Sequence, residues 1–400
     1  MFAPLPSIAN VAGGRGDLGN GVLTAAAAGH GVNILRRRSM EATARFPPAT
    51  DGMMSDPLPE RPRRRPRYSG KNPRRFDEKY KEHAPERYVA DVEKVLAAGK
   101  TPAGMHRPIM VREILEVLTP RPGEVAVDGT LGYGGHAQEI LHAITPGGRL
   151  LGLDADPVEL PKTEARLRAL GFGPEALTVH RMNFAGLAPL LAREAPDGAD
   201  VILADLGVSS MQIDNPARGF TFKTEGPLDL RMNPGRGQPA SVLLASLTAP
   251  KLERLLTENA DEPHASLLAP ALILAQERRA ISTTTTLATV IRTALAGLRR
   301  CEPDDSVRRV FQALRIAVND EFAALDTLLR HLPDCLRPGG RVAILTFHSG
   351  EDRRVKHAFK AGAQAGRYRA IAHDVIRPGA EELRANPRSA SAKLRWARRA

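Results

Sequence analysis

From residue 125 onward the chain alternates between short apolar runs and stretches of helical periodicity, and this alternation limits its fold more than any other feature. The runs at 125–127, 150–153, 177–179, 201–203 and 342–347 are too short for helices and rich in Val, Ile and Leu. Strands that alternate with helices form a parallel sheet covered on both faces, which explains why each run is apolar throughout rather than at every second residue. The expected fold is therefore α/β, with a mostly parallel, doubly wound sheet. Ahead of it, Ile109, Val111, Ile114, Leu115 and Leu118 recur near helical spacing, and Pro120 and Pro122 end that helix. Residues 235–310, which include SVLLASL, KLERLLTEN and TLATVIRTALAGL, read as helix without a strand, hence as a helical domain inserted between two strands of the sheet.

The 400 residues suffice for two ordinary domains. With aromatics at 4% and a single tryptophan, Trp396, the core has to be built from Leu, Val, Ile and Ala. A net charge of +12 favours an anionic partner such as nucleic acid. Cys301 and Cys335 form neither a disulfide framework nor a Cys-x-x-Cys pair, so the sequence predicts a reducing compartment and no metal. No apolar run approaches the roughly 18 residues of a membrane span. Residues 1–80, rich in Pro, Gly and Arg, read as a disordered basic extension, with an RNA-contacting arm and a solvated tail both open as its role. An organellar transit segment and a start at Met40, Met53 or Met54 also stay open. Residues 81–104 read as a helical lead-in, 105–234 and 311–383 as the two parts of the sheet domain, and 384–400 as a basic C-terminal segment.

The chemistry concentrates at strand ends. In EVAVDGTLGYGGHAQEIL a strand closes at Asp128, a glycine-rich turn follows, and a helix begins near Gly135, so that free N–H groups face any ligand. Asp154 ends the next strand, 22 residues past Gly132, where a carboxylate can hold both hydroxyls of a ribose. Ala137 breaks the G-x-G-x-x-G spacing, and the pair of signals suits a dinucleotide or S-adenosylmethionine alike. Asp205 ends the fourth strand, followed by Gly207, Ser209, Ser210 and Gln212. Phe184, after the third strand, is a candidate to stack on an adenine or to fill the core.

Longer strings then carry a resemblance. HRPIMVREIL, VDGTLGYGGHAQEIL, GLDADP, LADLGVSSMQIDNPARGFTFKTEGPLDLRM, FQALRIAVNDEF, PGGRVAILTFHSGEDRRVK and NPRSASAKLR resemble, in order, the signature segments of the bacterial 16S ribosomal RNA (cytosine-N4)-methyltransferase family of MraW type, over residues 105–400. The resemblance implies a class I methyltransferase fold with an inserted helical domain, a bacterial cytoplasmic location, and methyl transfer from S-adenosylmethionine to N4 of a cytidine in the decoding region of the small ribosomal subunit. It implies cofactor contacts at Gly134, Gly135, His136, Asp154, Phe184, Asp205 and Gln212. One departure stands out: Gly350 occupies the usual leucine position of the FHS-L-E-D-R string, which is expected to loosen the start of the following helix.

An exocyclic amine is a poor nucleophile that needs an acceptor and close alignment with the methyl group. The Pro-Pro-aromatic motif of many DNA amino-methyltransferases is absent, and Asp205, Ser209 and His348 are the catalytic candidates. Arg218, Lys223, Arg231, Arg353 and Arg354 are the candidate RNA contacts. The rival readings are a nicotinamide-dependent oxidoreductase and an RNA-binding assembly protein that has lost catalysis.

Overall fold

The computed structural model describes residues 108–299 and 301–400. The expected basic extension at 1–80 and the lead-in at 81–104 lie outside them. The chain runs through α1 (Val111–Leu118), β1 (Val125–Asp128), α2 (Gly135–Ile144), β2 (Arg149–Asp154), α3 (Leu160–Ala169), β3 (Leu177–Arg181), α4 (Leu187–Glu194), β4 (Ala199–Asp205) and the short α5 (Ser210–Asp214). Five helices follow: α6 (Ala240–Ser246), α7 (Ala249–Ala260), α8 (Ala265–Arg278), α9 (Thr284–Leu295) and α10 (Pro303–Asn319). The chain then returns through α11 (Glu321–Cys335), β5 (Leu336–Thr346), α12 (Ser349–Gln364), β6 (Tyr368–Ile371), α13 (Ala380–Ala385) and β7 (Lys393–Arg399). No helix among the described residues is long and apolar enough to cross a membrane.

The strand order is β3-β2-β1-β4-β5-β7-β6, parallel through β5, with β7 antiparallel to both neighbours. This is the class I methyltransferase arrangement. Alternating residues explain the continuous apolar runs. Ile202 and Ala204 of β4 and Val342 and Ile344 of β5 pack against α4, α11 and α12, whereas Val201, Leu203, Ala343 and Leu345 face α1, α2 and α3. After β1 the chain turns to β2 and β3 on one side, and β4 and β5 lie on the other. The sheet therefore splits beyond the carboxyl ends of β1 and β4, where open α/β sheets bind ligands.

Two features differ from the sequence expectation. The basic segment 384–400 contains a strand that the sequence reading did not assign, since Lys393–Arg399 is an inner strand with Leu394 and Ala397 fully buried. Its arginines hide the pattern: Arg395 spends its charge on Asp352 at 2.6 Å, and Trp396 lies opposite Ala343. The helical insertion also extends past 235–310, since its core includes Leu228 and Leu230 before α6 and Phe311, Ala313 and Leu314 of α10.

Gly350 does not loosen α12. The helix starts at Ser349 under a reciprocal cap, with Glu351 N–H donating to His348 Nδ1 and the Glu351 carboxylate accepting from His348 N–H. The missing side chain makes room for Phe322, whose Cζ would lie 2.6 Å from a Cβ at position 350 and whose ring carries the Arg354 guanidinium at 3.8 Å. Gly350→Ala should therefore lower the thermal unfolding midpoint, because overpacking of roughly 1–3 kcal/mol outweighs a helix-propensity gain of about 1 kcal/mol. In a Phe322→Ala background the same change should raise it; a rise in both backgrounds contradicts the packing account.

Candidate active site

The turn after β1 is tied to both neighbouring strands. Gly129 N–H donates to Leu203 O of β4 at 2.8 Å, and Leu131 N–H donates to Leu153 O of β2 at 2.8 Å. Helix α3 grips the turn from outside: Thr163 Oγ1 donates to Gly132 O, Arg166 donates to Tyr133 O, and the Arg166 guanidinium lies 4.2 Å over the Tyr133 ring. Gly134 caps α2 at φ +78°, and a Cβ there would stand 2.9 Å from Thr163 Cγ2, so only glycine fits without strain. Gly135 opens the helix and His136 follows it into the wall of a cleft of about 660 Å³.

The cleft runs along the ends of β1, β2 and β4 and across to the insertion. Asp154 Oδ2 accepts Gly132 N–H at 2.7 Å and Oδ1 accepts Asp156 N–H at 2.8 Å, which leaves acceptor capacity on each oxygen. Burial, its largest influence, raises the Asp154 pKa above the ordinary carboxylate value. Asp205 is held by its own N–H on Thr130 Oγ1 at 2.7 Å. Its Oδ2 lies 3.5 Å from His136 Nε2, while its Oδ1 is buried without a hydrogen-bond partner among the described residues, as is His136 Nε2. Two orphaned polar atoms lining one cleft fit a polar ligand that completes them. Phe184 starts a turn capped by Asn183 beside the β1 loop, half-buried against the core and on the cleft wall.

The other two catalytic candidates have structural duties. Ser209 Oγ accepts Gln212 N–H, and Gln212 Oε1 accepts Ser209 N–H at 2.8 Å, which forms the cap of α5. His348 is the N-cap of α12, with its Nε2 3.1 Å from Glu351 Oε1. Gln212 also donates from Nε2 to Asp156 Oδ2 at 2.8 Å, so both ends of its amide are engaged.

Among the basic candidates, Arg218 is misplaced by the sequence reading. It is 8% exposed and donates to Asp156 Oδ2 at 2.7 Å and to the carbonyls of Arg231 and Met232, so it has no donor face turned to solvent phosphate. Arg231 pairs with Asp229 at 2.7 Å and Arg353 with Asp261 at 2.8 Å, whereas Arg354 sits between Phe322 and Asp326. Lys223 is exposed. The sequence reading missed Asp156, the second acid of GLDADP, and the aromatic side of the cleft. Phe220, Phe222 and Phe311 line it from the insertion, the last two with ring centroids 5.4 Å apart. The alternating GFTF of residues 219–222 was the available signal.

The profile of the MraW methylase family matches residues 103–400. The chain belongs to that family. It is 49% identical over 340 residues to "Ribosomal RNA small subunit methyltransferase H 1" of Lachnoclostridium phytofermentans, across 84% of this chain and 92% of that protein. It is 50% identical to "Ribosomal RNA small subunit methyltransferase H 2" of Alkaliphilus metalliredigens, across 84% and 98%. Both alignments span more of this chain than residues 103–400, so the likeness reaches upstream of the MraW match. As an MraW methylase with the class I sheet, the chain takes S-adenosylmethionine as its methyl donor.

Two consequences of this geometry are measurable. Gly134→Ala forces a side chain into the left-handed region against α3, at a cost of about 1–2 kcal/mol, and should weaken calorimetric binding of S-adenosylmethionine about tenfold. Unchanged affinity would mean that the turn does not cradle the cofactor. Asp128 is 1% exposed, and burial pushes its carboxyl from 3.8 up to about 6, against the opposing pull of His136. The folded chain therefore keeps this proton where the unfolded chain has lost it, and the contribution of Asp128 to stability falls as pH rises from about 4 to about 6. Asp128→Asn retains an acceptor for Thr130 N–H and removes the titration. Relative to the parent, it should be more stabilising at pH 7.5 than at pH 4.5, by up to about 2 kcal/mol, read from urea midpoints; an equal difference at both pH values contradicts the assignment.

Proposed function

We propose that this MraW methylase transfers the methyl group of S-adenosylmethionine to the exocyclic N4 of a cytidine in the decoding region of 16S ribosomal RNA, in the bacterial cytoplasm. The observation that carries the reading is the unpartnered carboxylate oxygen of Asp205, at the end of β4, in a cleft with the β1 turn on one side and the phenylalanines of the insertion on the other. The names of the similar proteins support ribosomal RNA of the small subunit as the substrate class.

Gly134, Gly135, His136, Asp154, Phe184, Asp205 and Gln212 would hold the cofactor at their end of the cleft. When bound, it supplies an electrophilic methyl on a sulfonium. Asp154 offers its two remaining acceptor positions to the ribose hydroxyls. Phe184, on the cleft wall, would offer its ring to the adenine, and Gln212 would act through the turn that it caps. The cytosine is splayed out of its stack, at a cost of a few kcal/mol, to reach the cleft, and Phe220, Phe222 and Phe311 provide an apolar wall for it.

Asp205 Oδ1 accepts a hydrogen of the N4 amine. This draws electron density toward nitrogen and favours the pyramidal geometry in which its lone pair points at the methyl group. The N-methylated cation is strongly acidic, so its proton passes to Asp205 or to water without a dedicated base. Ser209 and His348 contribute as helix caps that fix the loops on either side of Asp205. Lys223, Arg353 and Arg354 contact phosphate as a group, while Arg231 is held by Asp229 and Gly237 O, and binding should weaken steeply with salt.

The test is methyl transfer from labelled S-adenosylmethionine to small ribosomal subunits that lack the modification, followed by nucleoside mass spectrometry. The expected product is N4-methylcytidine, with Asp205→Ala slower by about 100-fold or more, the scale of losing one charge-stabilising group. Methylation at another atom, or an Asp205→Ala variant as fast as the parent, overturns the reading.

A further inference from the structure

We propose that Asp156 and Arg218 form a positioning pair for methyl transfer, setting the span between the cofactor end of the cleft and the wall that receives the base. The inference rests on the methyl-transfer reading above and assigns a role to two residues that touch neither reacting group.

The pair is buried at the meeting point of three segments. Asp156 is 1% exposed and lies just beyond the tip of β2, with its N–H on Asp154 Oδ1 at 2.8 Å, so it shares hydrogen bonding with the acid placed to hold the ribose. Its Oδ1 is taken by Val158 N–H at 2.8 Å. Its Oδ2 accepts from Gln212 Nε2 at 2.8 Å and from Arg218 Nη1 at 2.7 Å, which joins β2 to the loop after β4. Arg218 then spans to the base of the insertion, where Nη2 donates to Met232 O at 2.8 Å and Arg231 O at 3.1 Å. Asn319 of α10 holds the same strand of chain from the other side: its Oδ1 accepts Met232 N–H and its Nδ2 donates to Leu230 O, each at 2.7 Å.

Met232, Leu230 and Phe220 line the cleft on the insertion side, and the Arg218 guanidinium is 5.8 Å from the Phe220 ring centre. The fork of Arg218 is thus the direct connection between the carboxylate that neighbours the ribose-binding acid and the backbone that carries the base-side wall. A buried ion pair is a poor source of stability, because desolvation consumes most of the Coulombic gain and an apolar pair of similar size is often as stable. Its value here is geometric: three acceptors at fixed angles define where the wall stands, which a lysine or an apolar side chain cannot do. Reacting groups that must meet at about 3–3.5 Å lose on the order of 100-fold in rate for a misplacement of about 1 Å.

The experiment compares Arg218→Lys, which keeps the charge but loses the fork, with the double variant Asp156→Asn/Arg218→Met, which removes both charges. Single-turnover transfer to unmodified small subunits at saturating cofactor and RNA is measured beside calorimetric cofactor affinity and the thermal midpoint. Both variants should be slower by about 10- to 100-fold, with cofactor affinity within about threefold of the parent and the double variant as thermostable as the parent. A double variant that transfers as fast as the parent overturns the inference, as does a loss of rate matched by an equal loss of cofactor affinity or of folded protein. A parent protein that transfers no methyl group to these subunits overturns the functional reading itself, and is distinguishable because no variant comparison is then needed.

Discussion

The active cleft depends on two backbone hydrogen bonds that tie the β1 turn to its neighbours, Gly129 N–H to Leu203 O and Leu131 N–H to Leu153 O. They fix the turn at the point where the sheet divides, so that the start of α2, Asp154 and Asp205 converge on one edge although 77 residues of sequence separate Asp128 from Asp205. Once the turn is fixed, Gly132 N–H is directed to Asp154, Thr130 Oγ1 to the backbone of Asp205, and His136 toward the Asp205 carboxylate. The rest of the sheet domain, with its two apolar layers, holds that edge rigid.

Charge around this cleft is arranged by burial as well as by pairing. Asp128, Asp154 and Asp205 lie close enough that the latter two add to the upward push on Asp128, while His136 opposes it. The capped helices α5 and α12 consume Ser209 and His348, and Asp156 is consumed by Arg218 and Gln212. Asp205, at the end of β4, keeps a buried oxygen without a hydrogen-bond partner among the described residues, and this is the acceptor that the proposed transfer assigns to the amine. On the other side, the aromatic wall comes from the insertion, so neither the sheet nor the insertion alone makes a complete cleft.

Much of this was legible in the sequence. The five parallel strands, the turn after Asp128 and the positions of Asp154 and Asp205 at strand ends followed from apolar runs bounded by Gly and Asp, because burial on both faces leaves an unambiguous pattern. The strand β7 was not legible: KLRWARR carries four basic residues, and only tertiary pairing of Arg395 with Asp352 shows that such a segment belongs inside a sheet. Arg218 read as a phosphate contact because a cation in a loop at the catalytic edge is ordinarily solvated, and its buried partner Asp156 lies 62 residues away. Gly350 read as a weak helix start because propensity is local, whereas the Phe322 ring that requires it comes from another helix.

The central claim is that the β1 turn, Asp154 and Asp205 form one cofactor and transfer site. A crystal structure of the protein with S-adenosylhomocysteine and cytidine tests it most directly. The account predicts both ribose hydroxyls of the cofactor on Asp154, and the cytosine N4 amine on Asp205 Oδ1, facing the cofactor sulfur from the phenylalanine side. A cofactor seated away from Asp154, or a cytosine whose amine is turned from Asp205, would contradict it.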